Sequence, residues 1–365
     1  MINLNFMPSR QLALYAVKLF LTRSLAVLLS LVLVLMALDL LGESGKILKV
    51  AGNGEAEIWR YVSLRLPMLV SQNLPRSLLL GALIAFAGLN QNSEVVSMKA
   101  AGLSAHQILA PMIAASLGVA VLLFGFNELV VVNSQRTVNA WSDSDYKPIP
   151  PQSGVLSNVW ILDGDDMVRA RFVMGRGSAA RLQGVTIYVR ENGALVRVVD
   201  ADSADQQPGA WQLHKVRTYD ARMNLVTSTQ EATGLIGVEP SRFTLAKINP
   251  NERDFVALRQ AIDDLESAGR PTEEARAGWW HKISGPFSTV LMPLLAATAA
   301  FGLARSGHVL LRACIGMALG FAYFLVDNLS LALGNTGAYP PFLAAWAPFL
   351  LFLLIGELVL VRQEE

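Results

Sequence analysis

Long apolar runs and one alternating segment divide the chain. Six runs reach the roughly 20 mostly apolar residues that a helix needs to cross a bilayer: about Tyr15–Leu41, Leu64–Leu89, Ile108–Val132, Ile283–Leu303, Val309–Leu333 and Phe342–Val361. The first, built around "LAVLLSLVLVLMALDLL", is too long for the apolar part of a cleavable leader and lacks a small-residue cleavage site, so it is expected to remain as a span. Between the third and fourth runs the period shortens to that of a strand. "SNVWIL", "MVRARFVM", "GVTIYVREN", "ALVRVVD" and "WQLHKVRTYD" are rich in Val, Ile, Tyr and Trp, and turn signals such as "DGDD", "RENG" and "QQPG" separate them. Alternation shows in Val185, Ile187 and Val189, and again in Trp211, Leu213 and Val216. Strands at this spacing point to an antiparallel sandwich or jellyroll. Beyond them, Phe255, Leu258, Ile262 and Leu265 fall at helical spacing, with Gly269 placed to end the helix. Thr272 then heads another helix, with Glu273 and Glu274 in its first turn. The fold class expected is an α-helical membrane protein of six transmembrane helices with an inserted all-β, jellyroll-like domain. Residues 1–132 hold three spans, 133–250 the β domain, 251–281 a helical connector and 282–365 the last three spans.

Between the second and third spans lies "QNSEVVSMKAAGLSAHQ", residues 91–107. Ser93 is placed to cap a short helix, Glu94 to complement its start, Gly102 to end it and Ser104 to cap the next span. Val95 and Met98 share one face, Val96 and Ala100 another. A helix that lies on a bilayer usually carries a basic polar face, whereas this one sets a single Lys99 against Glu94 and is otherwise small. From these residues alone, a connector in the headgroup layer and a helix that docks on another protein are equally open.

Charge orients the chain. Arg10, Lys18 and Arg23 flank the first span without an acid, while the loop after it mixes Glu43, Glu55 and Glu57 with Lys46, Lys49 and Arg60. That bias places the N-terminus in the cytoplasm. Counting spans puts the 91–107 insert, the Ala304–Gly307 turn with Arg305 and the terminal "VRQEE" on the same side, and the β segment outside, in a bacterium the periplasm. Trp279 and Trp280 stand where belt residues meet the membrane surface. Composition agrees: charged residues make up 16% of the chain, against about 25% in soluble domains. A net charge of +1 gives no bulk case for nucleic acid, and the single cysteine, Cys314, excludes an intrachain disulfide or a cysteine zinc site. Inside an apolar run, Cys314 is expected to be buried.

Asp39, Arg76, Glu128 and Asp327 fall within the spans, where ionisable groups face a cavity or a partner. Asp39 is close enough to the end of its run to reach water. Arg76 has three readings: it faces an internal cavity, snorkels outward, or pairs with an intramembrane acid. Asp327 suits a hydrogen bond between helices.

In order along most of the chain, "LPRSLLLGALIAFAGLNQNSEVVSMKAAGLSAHQI", "GVTIYVREN", "WQLHKV", "LRQAIDDLESAGRPTEEARAGWWHKISGPFSTVLMPLLAATAAFG", "GMALGFAYFLVDNLS" and "YPPFLAAWAPFLLF" resemble the LptF/LptG permease family, nearer its LptG branch. The resemblance implies the membrane part of a bacterial ABC exporter. Paired LptF-like and LptG-like permeases, driven by an LptB ATPase dimer, extract lipopolysaccharide from the inner membrane and pass it through the periplasmic β-jellyroll toward LptC and the LptA bridge. It makes the insert a coupling helix docking on LptB, with Glu94 as the main contact and Val95, Met98 and Gly102 shaping the fit. It also implies a substrate cavity, for which Arg76, Asp39, Met36, Lys46 and Arg136 are the candidates, Arg76 toward the lipid A phosphates, which suit a guanidinium fork. This chain departs from the family pattern in places. Relatives commonly have an apolar residue where Arg76 follows the second-span proline. They often carry lysines near the end of the first span, where Met36 stands here, leaving Lys46 and Lys49 to substitute from the loop. Val132 replaces a usual proline, and Arg136 remains as a cationic rim residue.

No G-x-x-x-x-G-K-[ST] occurs, since "GESGKIL" lacks both the spacing and the hydroxyl; energy is therefore expected from a partner, and no cofactor or metal from this chain. His106, His214, His281 and His308 are scattered, and Asp165–Asp166 and Asp263–Asp264 read as solvated charges. "GRG" at 175–177 is too short to indicate phosphate binding. The alternatives are the paralogous LptF, a membrane-embedded enzyme acting on lipid precursors, which would need acids or a metal site at one depth, and a sensor or scaffold.

Overall fold

The computed structural model describes residues 8–147, 156–175, 179–191, 193–244, 248–267, 269–301 and 309–364. The Ala304–Gly307 turn with Arg305, His308 and residues 176–177 of "GRG" lie outside them. The described helices are α1 (Arg10–Leu48), α2 (Glu55–Gln91), α3 (Glu94–Ala100), α4 (Ala105–Phe126), α5 (Val132–Asp143), α6 (Pro240–Thr244), α7 (Phe255–Ser267), α8 (Glu273–Phe301), α9 (Val309–Asn335) and α10 (Pro341–Glu364), with strands β1 to β6 between α5 and α6. Among the described residues, six helical segments are long and apolar enough to cross a membrane, and each falls on one expected span. Two compact units form: Met1–Gly42 with Arg60–Gln135 and Pro250–Glu365, and Glu43–Trp59 with Arg136–Asn249.

In the first unit α8 is the axis. It packs against α4, α9 and α10, and Leu291, Met292, Leu295, Ala296 and Ala297 are fully enclosed. Small residues bring the helices together, as is usual where lipid supplies no hydrophobic drive between helices. Gly316 and Gly320 of α9 receive Leu83 and Leu79 of α2, and Gly356 of α10 receives Leu294 of α8. Gly81 of α2 lies directly against the Ser24 backbone of α1. α1 and α9 are the least buried spans: Leu25, Leu29 and Leu33 on one, and Phe321, Leu325 and Leu329 on the other, form exposed apolar rows. Cys314, expected to be buried, is exposed, because α9 turns its glycine face toward α2 and its opposite face outward. After α4, the turn Asn127–Val131 widens to a π turn before α5. α7 ends as expected: Gly269 is left-handed (φ 62°), its amide bonds the Glu266 carbonyl and the Arg270 amide the Leu265 carbonyl, the bonding of a Schellman stop.

The second unit is built on one antiparallel sheet in which β1 (Leu156–Asp163), β2 (Asp166–Met174), β3 (Arg181–Glu191), β4 (Ala194–Gln207), β5 (Ala210–Asp220) and β6 (Leu225–Gly234) pair in chain order. The first five are the segments read from the sequence. The sixth was not read, because as an edge strand exposed along nearly its whole length it carries no apolar alternation. Turns use left-handed glycines at 164, 193 and 209. The turn after β5 instead uses Asp220, whose carboxyl is held below its ordinary range by the Asn224 side-chain amide and by backbone amides.

Every ladder leaves one position unpaired on both of its strands, and these positions line up as Asn158, Arg171, Gly184, Asp202, Lys215 and Gln230, apart from one-sided register shifts after Val189 and Thr218. Asn158, Gly184 and Lys215 have positive φ. This row is a crease across the whole sheet. On either side of it the buried residues of a strand are three apart instead of two: Ala170 and Val173, Leu182 and Val185, Ala201 and Ala204, Leu213 and Val216. The extra residue restores parity after the bend, so both leaves address one core. Trp211 closes that core, with its indole N–H on the Val238 carbonyl at 2.8 Å and Phe243 edge-on at 5.4 Å. In the same unit, the Tyr146 hydroxyl donates to Glu43 at 2.6 Å, and the Asn53 amide donates to the carbonyls of Ile47 and Tyr146.

Candidate functional site

The insert between the second and third spans is a rigid mount. α2 ends at Gln91, and two residues later α3 begins. Ser93 does not cap it: the residue is left-handed (φ 57°) and its hydroxyl makes no cap bond. So abrupt a reversal needs one residue in the left-handed region, and that geometry turns the Ser93 side chain away from the α3 amides. The exit follows expectation. Gly102 has φ +86°, and the amides of Gly102 and Leu103 close back on Lys99 and Met98. Ser104 and Gln107 then form a reciprocal capping box at the head of α4. Gly102→Ala forces a side chain into the left-handed region, a strain of about 1 kcal/mol; roughly fivefold faster amide exchange across α3 is the expected result.

Of the residues expected on the docking face, Val95 is 4% exposed and joins the unit's own core, with Met98 and Leu103 packed on it. They hold α3 down. The outward surface belongs to Val96, Lys99 and Ala100, with the Glu94 carboxylate at the tip. That carboxylate accepts hydrogen bonds from the Tyr15 hydroxyl of α1 at 3.2 Å and from the Asn92 amide at 3.4 Å. Nearby contacts brace the mount: Asn90 donates to the Ala300 carbonyl of α8, and His106 Nε2 lies 3.1 Å from Glu357 of α10.

The charges within the spans are mostly spoken for. Asp39 is clamped by Arg65, through Nε at 3.2 Å and Nη2 at 3.1 Å, and by the Tyr61 hydroxyl at 2.6 Å. Glu128, on the π turn, pairs with Lys282 of α8 at 2.7 Å, both side chains under 15% exposed, and also accepts the Phe255 amide at the head of α7. Around this junction Phe255 stacks on Trp279 (4.5 Å), while Trp279 and Trp280 (4.8 Å) and Trp280 and Phe342 (5.0 Å) meet edge-on. Met36 is buried with Leu28, Val32 and Leu69. Lys46 bonds Glu43 on an exposed helix face. Arg136 is half-buried; it and Lys46 belong to the second unit, while Arg76, Asp39 and Met36 belong to the first. Sequence reasoning missed Tyr15, Tyr61, Arg65 and Lys282. Arg65 and Lys282 had one available signal, a basic residue at the edge of a span that already held an unexplained acid.

A model of the lipopolysaccharide export system permease LptF/LptG matches residues 14–362. The chain belongs to the LptF/LptG family. It is similar to the lipopolysaccharide export system permease protein LptG of Escherichia coli (strain K12), 26% identical over 329 residues that cover 87% of this chain and 89% of that one. The protein of the same name in Haemophilus influenzae is 25% identical over 327 residues, 86% of this chain and 89% of the other. An LptF/LptG permease is a multi-pass transport subunit of lipopolysaccharide export, and among the described residues this chain has six apolar helices and, inserted between the third and fourth in sequence, an antiparallel β domain.

Proposed function

We propose that the chain is the LptG-type permease subunit of an ATP-driven lipopolysaccharide exporter. In this reading it pairs with an LptF-like permease, and an LptB ATPase dimer docks on α3 in the cytoplasm. The β domain, in the periplasm, passes the lipid toward LptC and its bridge. The LptG names of its relatives favour this subunit over LptF. Both termini and the α2–α3–α4 turn lie inside, as the Lys/Arg bias of the spans requires.

One observation carries the reading: α3 is a seven-residue helix sealed to the spans on its inner face and presenting an acid at its tip. A loop would absorb the push of a moving ATPase. A helix with Val95 and Met98 seated in the core and a capping box on its far side passes that push to α4. Glu94 accepts hydrogen bonds from cationic or backbone donors of the ATPase, worth roughly 1.5–3 kcal/mol when one partner is charged.

The test is co-purification with LptB. Glu94→Ala is expected to weaken retention of the ATPase about tenfold, one charged hydrogen bond's worth, while the permease itself melts as the wild type does. Retained assembly and undiminished ATP turnover in Glu94→Ala would remove the docking role.

A further inference from the structure

Resting on the permease reading, we propose that Arg76 is an anionic-headgroup subsite, its guanidinium taking a phosphate of the transported lipid at the outer face of the membrane. The first argument is donor accounting. A guanidinium carries five N–H donors. Arg76 spends one at good distance, on the Gln72 carbonyl at 2.6 Å, and reaches Asn73 Oδ1 only at 3.5 Å. Its guanidinium carbon lies over the Phe324 ring, 5.0 Å from the centroid, and the residue is exposed. Among the described residues no acid pairs with it, whereas Arg65 holds Asp39 through Nε and Nη2. A cation held within a span with donors to spare is costly unless a ligand or water meets it.

Depth supplies the second argument. Helix side chains lean toward the N-terminus, and the bond to Gln72 draws the Arg76 guanidinium one turn that way. Gln72 stands 19 residues before the end of α2 at Gln91, about 28 Å along the axis, against roughly 30 Å of bilayer hydrocarbon. With the inner end of α2 at the cytoplasmic surface, the guanidinium reaches the outer boundary of the hydrocarbon, where lipid phosphates lie. α9 agrees: with Gly320 against Leu79 and Gly316 against Leu83, the antiparallel register brings Asp327 and Asn328 to the level of Gln72. A guanidinium resting over an aromatic ring still offers its planar fork to two oxygens of one phosphate. Gln72 and Asn328 are exposed on the same level.

The test measures binding of bisphosphorylated lipid A and of its dephosphorylated form to the purified transporter, with inorganic phosphate as competitor. Arg76→Met is expected to bind the bisphosphorylated lipid at least about tenfold more weakly, the low end for one charge-assisted hydrogen bond, and the dephosphorylated lipid as well as the wild type does. Arg76→Lys is expected to recover part of the loss, and millimolar inorganic phosphate to compete poorly. Equal binding of bisphosphorylated lipid A by Arg76→Met overturns the subsite. An equal loss for both lipids reduces Arg76 to a packing residue on Phe324, and efficient displacement by inorganic phosphate makes the site one for free anions; either result also overturns it. A melting curve on each variant identifies misfolding, in which case Arg76→Gln, which keeps the chain's polarity, replaces Arg76→Met. If the wild type binds neither lipid, it is the permease reading that fails.

Discussion

Lys282→Met is expected to be among the most damaging single changes in the first unit, costing about 3 kcal/mol. The Glu128 carboxylate is under 15% exposed and sits where three elements meet: the π turn that carries it, α8 through Lys282 and α7 through the Phe255 amide. Removing the cation leaves a nearly dehydrated charge, and such a charge costs far more than its original pairing gained. The double variant Glu128→Gln with Lys282→Met should regain most of the loss, because glutamine still accepts the Phe255 amide and carries no charge to desolvate. Tryptophan fluorescence reports on the junction directly, since Trp279 stacks on Phe255. Melting curves of the wild type, both singles and the double in detergent complete a double-mutant cycle. A coupling energy below about 1 kcal/mol would mean that the pair behaves as an exposed one.

Gly81→Val should separate α1 from α2. A Cβ at residue 81 would lie 2.5 Å from the Ser24 Cα and 2.6 Å from its amide nitrogen. Backbone atoms cannot swing aside as a leucine tip can, so the whole helix must move. Overpacking of this kind costs typically 1–3 kcal/mol, and the upper end is expected where a backbone is struck. α1 is poorly placed to resist, being among the least buried of the spans, with Leu28, Val32 and Met36 forming one small cluster with Leu69 of α2. The expected results are faster exchange of α1 amides and earlier proteolysis of the first span, with Gly81→Ala intermediate. Gly320→Ala is the contrast: its Cβ would meet only the end of the Leu79 side chain, which can rotate, and a milder effect is expected. Equal effects at the two glycines would show that α1 slides along α2 without penalty.

The spans, Gly102, Ser104 and Gly269 were legible in the sequence because each depends on residues within one or two turns of itself. Ser93 was not, because its role depends on how closely α2 and α3 follow each other. The ion pairs were illegible for a different reason. Asp39 and Arg65 are 26 residues apart and Glu128 and Lys282 154 apart, so only packed helices reveal them, and they account for two of the four intramembrane charges that the sequence left unexplained. Val95 and Met98 were read as one face of the insert, correctly, but pattern alone cannot say whether a face turns to a partner or to its own core. In the β domain, the step of three between Leu213 and Val216 was visible as an irregular alternation. Its meaning appears only when the same step recurs in neighbouring strands.

Because all six strands bend along one row, alignment in this sheet is a collective property. A strand that slid by one residue would expose its own apolar side chains and also carry its bend out of line with the other five. Most sheets reject a slipped hairpin through one mismatched neighbour; here the penalty is shared across the whole domain. Extra residues should therefore be tolerated at the tips of the hairpins and rejected anywhere inside the strands, even at positions whose side chains face water.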